Sequence, residues 1–166
     1  MCRIARLTLY RCTTRNDWKR YGQSGRSRTD LRQMRARLER EQGPSQPLKA
    51  GRGGYYDIDF LLLYLRLRGA GVFFKALNTP ERIEVIVTTG HLAHDEADFL
   101  HKAATFYRAL DHGLRVISGH AEERLPKSES QLELLAEVLA RWTPVRLEEL
   151  DEIRTHTREL FDRYFG

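Results

Sequence analysis

Lys49-Ala-Gly-Arg-Gly-Gly-Tyr-Tyr-Asp-Ile-Asp-Phe60 runs straight into Leu61-Leu62-Leu63-Tyr64-Leu65, and this join decides the fold. Three glycines permit a sharp turn or a close backbone approach to a partner. Asp57 and Asp59 follow where a helix begins, and the helix dipole favours negative charge there. The run after them is apolar almost all round, which predicts a helix over 57–68 buried on several sides. Gly69 and Gly71 stop or bend it.

Upstream, Thr29 is a good helix cap. Leu31, Met34 and Leu38 follow at helical spacing, and Gly43-Pro44 ends that helix. Residues 43–54 read as a loop. Residues 1–28 show no sustained periodicity and read as an irregular basic leader. Downstream, 79–90 carries two signals. Ile83, Val85 and Val87 alternate as in a strand. Thr79-Pro80-Glu81 gives a cap, a proline at the first position and an acid in the first turn. The start signal and Gly90 favour helix.

Asp95 is the expected cap of the clearest helix. Phe99, Ala103, Phe106, Leu110, Leu114 and Ile117 line one of its faces, and Tyr107 widens the stripe. A further helix is expected over 128–142, with Leu132, Leu135, Leu139 and Trp142 inward, before Pro144. The last spans 146–165, with Leu147, Leu150, Ile153, Leu160, Phe161 and Tyr164 on its apolar face. The pattern predicts an all-α fold. A bundle of about six helices occupies 29–166, preceded by an irregular basic N-terminal arm over 1–28.

A chain of 166 residues, 41% hydrophobic, makes one domain with a real core. No apolar run approaches the roughly 18 residues of a membrane helix. Arg3, Arg6 and Arg11 interrupt every early apolar stretch, which argues against a signal peptide. Cys2 and Cys12 are the only cysteines. They suggest a reducing compartment, hence the cytoplasm, and no disulfide framework. The charge is uneven. Residues 1–52 hold 14 Lys and Arg against 4 Asp and Glu, a net of +10, and residues 53–166 hold 14 against 19, a net of −5. The basic third is either a solvated arm or a contact surface for an acidic protein, a nucleotide or nucleic acid. Arg35, Arg37 and Arg40 read as a solvated helix face. Aromatic residues do not interleave them, so nucleic acid is not the expected partner.

Asp57-Ile58-Asp59 resembles the Asp-x-Asp that holds magnesium in nucleotidyltransferases. On a helix, alternate residues point about 200° apart, so these two acids do not converge on one ion. Asp57 is expected to cap the helix and Asp59 to face solvent or a basic group. No metal site is assigned. Gly51, Gly53 and Gly54 are not a Walker loop, since Lys-Ser/Thr does not follow. They either offer amides to a phosphate, with Lys49 and Arg52 supplying charge, or form a purely structural turn. His91 and His94 are expected in loop or capping roles, and His112 as a hydrogen-bonded interfacial residue. No catalytic residue is assigned.

Lys49 through Phe60 resembles the Lys-x-Gly-x-Gly-Gly-x-x-Asp-Ile-Glu-Phe signature of glutamine-synthetase adenylyltransferases, and a related stretch occurs in PII uridylyltransferases. Met34-Arg35-Ala36-Arg37-Leu38-Glu39, Leu77-Asn78-Thr79-Pro80, Phe106-Tyr107-Arg108-Ala109-Leu110-Asp111-His112 and Leu125-Pro126 extend the likeness. Asp59 stands where the family has Glu, Leu63 where it has Gln, and Gly113 and Arg115 also depart from it. The resemblance implies the α-helical domain that accompanies a nucleotidyltransferase core. It covers that partner domain and not the core itself. The implied full activity is AMP transfer from ATP to glutamine synthetase, and its removal, with magnesium and ATP as cofactors. This chain is expected to be inactive alone. Lys49, Arg52, Gly53, Gly54, Asp57 and Asp59 are expected to face the nucleotide or the partner domain. Glutamine synthetase and PII are the further partners implied, and a membrane is not. The alternative is a stand-alone interaction module that binds PII, glutamine synthetase or another regulator.

Overall fold

The computed structural model describes residues 20–69 and 78–166. Its α-helices are α1 Gly25–Gln42, α2 Tyr55–Arg68, α3 Thr79–Thr88, α4 His94–Ser118, α5 Glu129–Leu139 and α6 Leu150–Phe165. A 3-10 turn, Leu147–Glu149, leads into α6. No strand occurs among the described residues, so the expected all-α bundle is the observed one. The readings placed on residues 1–19 and on Gly71 and Leu77 lie outside the described residues.

Helix α2 is the centre of the bundle and packs against α1, α3, α4 and α6. Ile58, Leu61, Leu62 and Leu65 are all buried, which is why its apolar run has no polar side. Helix α4 forms the long wall through Ala103, Phe106, Leu110 and Leu114. Gly113 admits α5 to that wall, since a Cβ there would lie 2.8 Å from Leu135 Cδ1. Tyr64 of α2 meets the ring of Phe165, which stacks on Phe161 at the end of α6.

Several expected boundaries move. Helix α1 starts at Gly25 with Ser24 as N-cap, not at Thr29. Residues 20–23 are also helical, so the part of the expected leader from 20 to 28 belongs to the bundle. Tertiary contact is the reason. Gly22 lies so close to the Leu67 carbonyl that a Cβ would overlap it. Buried Ser27 donates its hydroxyl to the Ser24 carbonyl at 2.8 Å. Asn78, not Thr79, caps α3. Its Oδ1 accepts from the Glu81 amide at 2.9 Å, and the Glu81 carboxylate accepts from the Asn78 amide at 3.2 Å. The alternating Val85 and Val87 are only partly buried, whereas Ile83 and Ile86 carry the α3 core face at helical spacing.

Asp95 sits one turn position inside α4 and does not cap it. The N-cap is Ala93, whose amide is taken by the Glu96 carboxylate at 3.3 Å. Trp142 lies beyond α5 and is 44% exposed, not inward. Thr143 and Val145 are the residues of this turn that enter the core. His112 is exposed and tilts against the Trp142 ring at 4.5 Å.

Candidate functional site: a glycine loop tied to five helices

Residues 46–54 wrap into a tight loop before α2. The Gln46 carbonyl accepts from the amides of Lys49, Ala50 and Gly51. Gly54 is the N-cap of α2, and its amide donates to the Gly51 carbonyl at 3.0 Å. The amides of Tyr55 and Tyr56, at the start of the helix, donate to the carbonyls of Leu48 and Lys49. These amides are spent within the loop and are not offered to a phosphate.

The loop carbonyls are claimed from other helices. Arg35 Nη2 of α1 donates to Gly51 at 2.7 Å. Arg154 Nη2 of α6 donates to Arg52 at 3.2 Å. The Tyr107 hydroxyl of α4 donates to Gly53 at 2.5 Å. Burial pushes the Tyr107 phenol above its ordinary pKa, and the charge of Arg154 opposes the rise. Gly53 has φ 70°, in the left-handed region, and a Cβ there would overlap the Arg154 carbonyl. Only glycine satisfies both conditions. Tyr55 extends the network to α3 through Thr79 Oγ1 at 3.1 Å, which also accepts from Arg108 Nη2 at 3.0 Å.

Beneath the loop lies a buried charge cluster. Asp57 is fully buried at the third position of α2. Its Oδ1 meets Arg35 Nε at 2.5 Å, an ion contact not aligned as a hydrogen bond. Its Oδ2 accepts from the Gly53 amide at 2.8 Å and lies 3.5 Å from Arg158 Nη1 of α6. Burial pushes the Asp57 carboxyl upward, and the charges of Arg35 and Arg158 pull against it. Arg158 also holds Glu39 at 3.0 Å and Asp162 at 3.1 Å. Burial lowers its guanidinium, but the attraction of Asp57 and the bond to Asp162 prevail and raise it.

This geometry corrects two expectations. Asp57 does not cap α2; Gly54 does, and Asp57 reaches back to the preceding amide. Arg35 is not on a solvated face, for it is fully buried between Leu31 and Leu38, while Arg37 and Arg40 are exposed. Of the six signature residues expected to face a nucleotide or a partner domain, Gly53, Gly54 and Asp57 are buried within this domain. The remaining three sit at the surface. Asp59 is half-exposed, 3.7 Å from Arg82 of α3. Burial raises its carboxyl, and Arg82 and Arg108 oppose the rise. Arg52 is exposed and 3.4 Å from Asp162. Lys49 lines a cleft and lies between Asp111 at 2.9 Å and Glu123 at 2.8 Å. Burial alone would lower its ammonium, but the hydrogen bonds to Glu123 and Asp111 outweigh that and raise it.

Asp57 and Asp59 do not fit a magnesium ion. The Asp57 oxygens are taken by two guanidiniums and an amide, and Asp59 belongs to a different face. No group of three His, Cys, Asp or Glu that could hold a metal occurs among the described residues. No described helix is long and apolar enough to cross a membrane.

Reasoning from sequence missed Arg35 and Arg158, the two residues that hold the loop. Arg35 carried a readable signal: it falls on the Leu31–Leu38 stripe, four residues after one leucine and three before the other. Arg158 follows buried Thr157 and precedes Leu160 and Phe161, a weaker sign of the same kind.

Fold and loop together define a helical-bundle domain organised around a glycine-rich turn at a helix start. Residues 23–164 match the family model described as GlnD PII-uridylyltransferase, and the chain belongs to that family. It is also similar to bifunctional glutamine synthetase adenylyltransferase/adenylyl-removing enzymes. The one from Nitrosococcus oceani is 35% identical over 96 residues, covering 54% of this chain and 10% of the relative. That of Hahella chejuensis is 29% identical over 138 residues, 79% of this chain and 14% of the relative. That of Rhodopseudomonas palustris is 36% identical over 91 residues, 52% and 9%. The chain thus spans about a tenth of the length of these curated relatives.

Proposed function

We propose that this chain serves as the helical domain accompanying a nucleotidyltransferase core that adenylylates and deadenylylates glutamine synthetase, and that it is inactive alone. One observation carries this reading. The amides of Lys49, Ala50, Gly51 and Gly54 are spent within the signature loop, that of Gly53 on Asp57, and the Gly51, Arg52 and Gly53 carbonyls on Arg35, Arg154 and Tyr107, so the loop acts as a rigid shaped surface and not as a phosphate cradle. Lys49, Arg52 and Asp59 are the charged signature side chains left at the surface to meet the core. ATP and magnesium belong to the core in this reading, because the acids here are paired with arginines. The setting is the cytoplasm.

The test incubates the purified chain with glutamine synthetase, labelled ATP and magnesium, with and without a relative's core stripped of its own helical domain. No transfer by the chain alone, and transfer or tight association when the core is added, is the expected outcome. Robust labelling by the chain alone overturns the proposal.

A second reading rests on the outer face of α1. Arg26, Arg28, Arg32, Arg37 and Arg40 are all exposed there, and such a surface suits an acidic regulator such as PII or a face of glutamine synthetase. Retention of either protein by the immobilised chain without any core, lost at high salt, favours this reading over the first.

A further inference from the structure

Between α4 and α5 the chain crosses the bundle without regular structure, from Gly119 to Ser128. Gly119 ends α4 with φ 74°. The Glu122 carboxylate then folds the segment on itself, accepting from the amides of Glu123 at 2.9 Å and Arg124 at 3.2 Å. Two polar contacts tie this segment to the loop 43–54. Glu123 Oε1 takes the Lys49 ammonium, 74 residues away in sequence. Arg124 Nη2 donates to the Pro44 carbonyl at 2.6 Å. Leu125 adds a partly buried apolar contact.

The segment borders a cleft of about 210 Å³. Leu48, Tyr55, Tyr107, Leu110 and Leu114 form its largely apolar walls, and Glu122 and Glu123 of the segment also line it. Lys49 is shared between Glu123 on the segment and Asp111 on α4. One ammonium thus holds two carboxylates, and Asp111 has a second cation in Arg115 at 3.1 Å. Like charges brought together without the ammonium repel.

We propose that residues 119–127 form a strap gating this cleft, and that Lys49 is its latch. With the ammonium in place the strap lies down. Without it Asp111 and Glu123 repel, the strap lifts, and the walls beside the signature loop open to solvent. This assigns the signature lysine a gating role that does not depend on any nucleotidyltransferase core.

Hydrogen exchange of the whole chain tests the latch, comparing wild type, Lys49→Met and the double variant Lys49→Met with Glu123→Gln. The expected result is about tenfold faster exchange of the 119–127 amides in Lys49→Met, the scale of one charge-assisted hydrogen bond. Exchange in α6 should stay unchanged. Adding Glu123→Gln should slow the strap again, because the repulsion is gone. Unchanged strap exchange in Lys49→Met overturns the proposal. So does a double variant as fast as the single one, since packing by Leu125 and the Arg124 bond would then be what holds the strap. A salt series on wild type guards against a variant that fails to fold. Strap exchange should rise with salt relative to residues 105–114, and equal response of both segments also refutes the latch.

Discussion

Arg35 on α1 and Asp57 on α2 meet at 2.5 Å with neither side chain open to solvent. Arg35 uses a different nitrogen, Nη2, to hold the Gly51 carbonyl. The pair therefore joins two helices and sets the loop between them. Removing one partner leaves a buried charge without its main counter-charge, which costs about 3–5 kcal/mol. Arg35→Met should lower stability on that scale in urea unfolding. Combining it with Asp57→Leu should recover part of the loss, and a fully additive double variant would show that the two groups are not coupled.

Gly53 and Gly90 both have positive φ, but only Gly53 is crowded. Alanine in the left-handed region costs roughly 1–2 kcal/mol by itself. Gly90→Ala should show that cost alone. Gly53→Ala should exceed it, since the new Cβ overlaps the Arg154 carbonyl. Equal midpoint shifts for the two variants in chemical denaturation would refute the close approach.

Alkaline pH should weaken the fold in a defined direction. The Lys49 pKa is raised above its ordinary 10.5, and that of Tyr107 above 10.0. A raised folded value means that the stability is complete below the ordinary pKa and is lost as pH rises through the folded one. Melting temperature should therefore hold to about pH 10 and then fall. Lys49→Met and Tyr107→Phe should each flatten that decline while lowering the plateau. A decline of the same steepness in both variants would assign it to other groups.

Trp142 and Leu135 were expected alike to face inward, and the structure separates them. Leu135 is fully buried against Gly113 on α4. Leu135→Ala should cost about 2–5 kcal/mol. Trp142→Ala should cost much less, because the ring is half exposed and its ring partner is the exposed His112. Comparable losses in thermal unfolding would contradict this arrangement.

The helices were legible because their apolar residues recur at a period that a strand cannot copy, most clearly from Phe99 to Ile117. Helix α2 was legible for the opposite reason, having no polar side at all. The start of α1 was not, since Gly22, Ser24 and Ser27 are weak helix formers, held by the contact of Gly22 with the end of α2 and by serine hydroxyls bonded to nearby carbonyls. The site was half legible. Asp57 and the glycines drew notice, but a charged residue buried in a basic stretch looks like its exposed neighbours until its counter-charge is placed beside it. Arg35 and Arg37 differ only in which way they point, and Asp57 is what turns Arg35 inward.

The Arg52 carbonyl is held by Arg154, 102 residues later in the chain. Synthesis runs from the N-terminus, so the glycine loop is made well before α6, and the Arg52 carbonyl stays without its clamp until α6 follows. A partner that reads the shape of the signature therefore reads α6 as well.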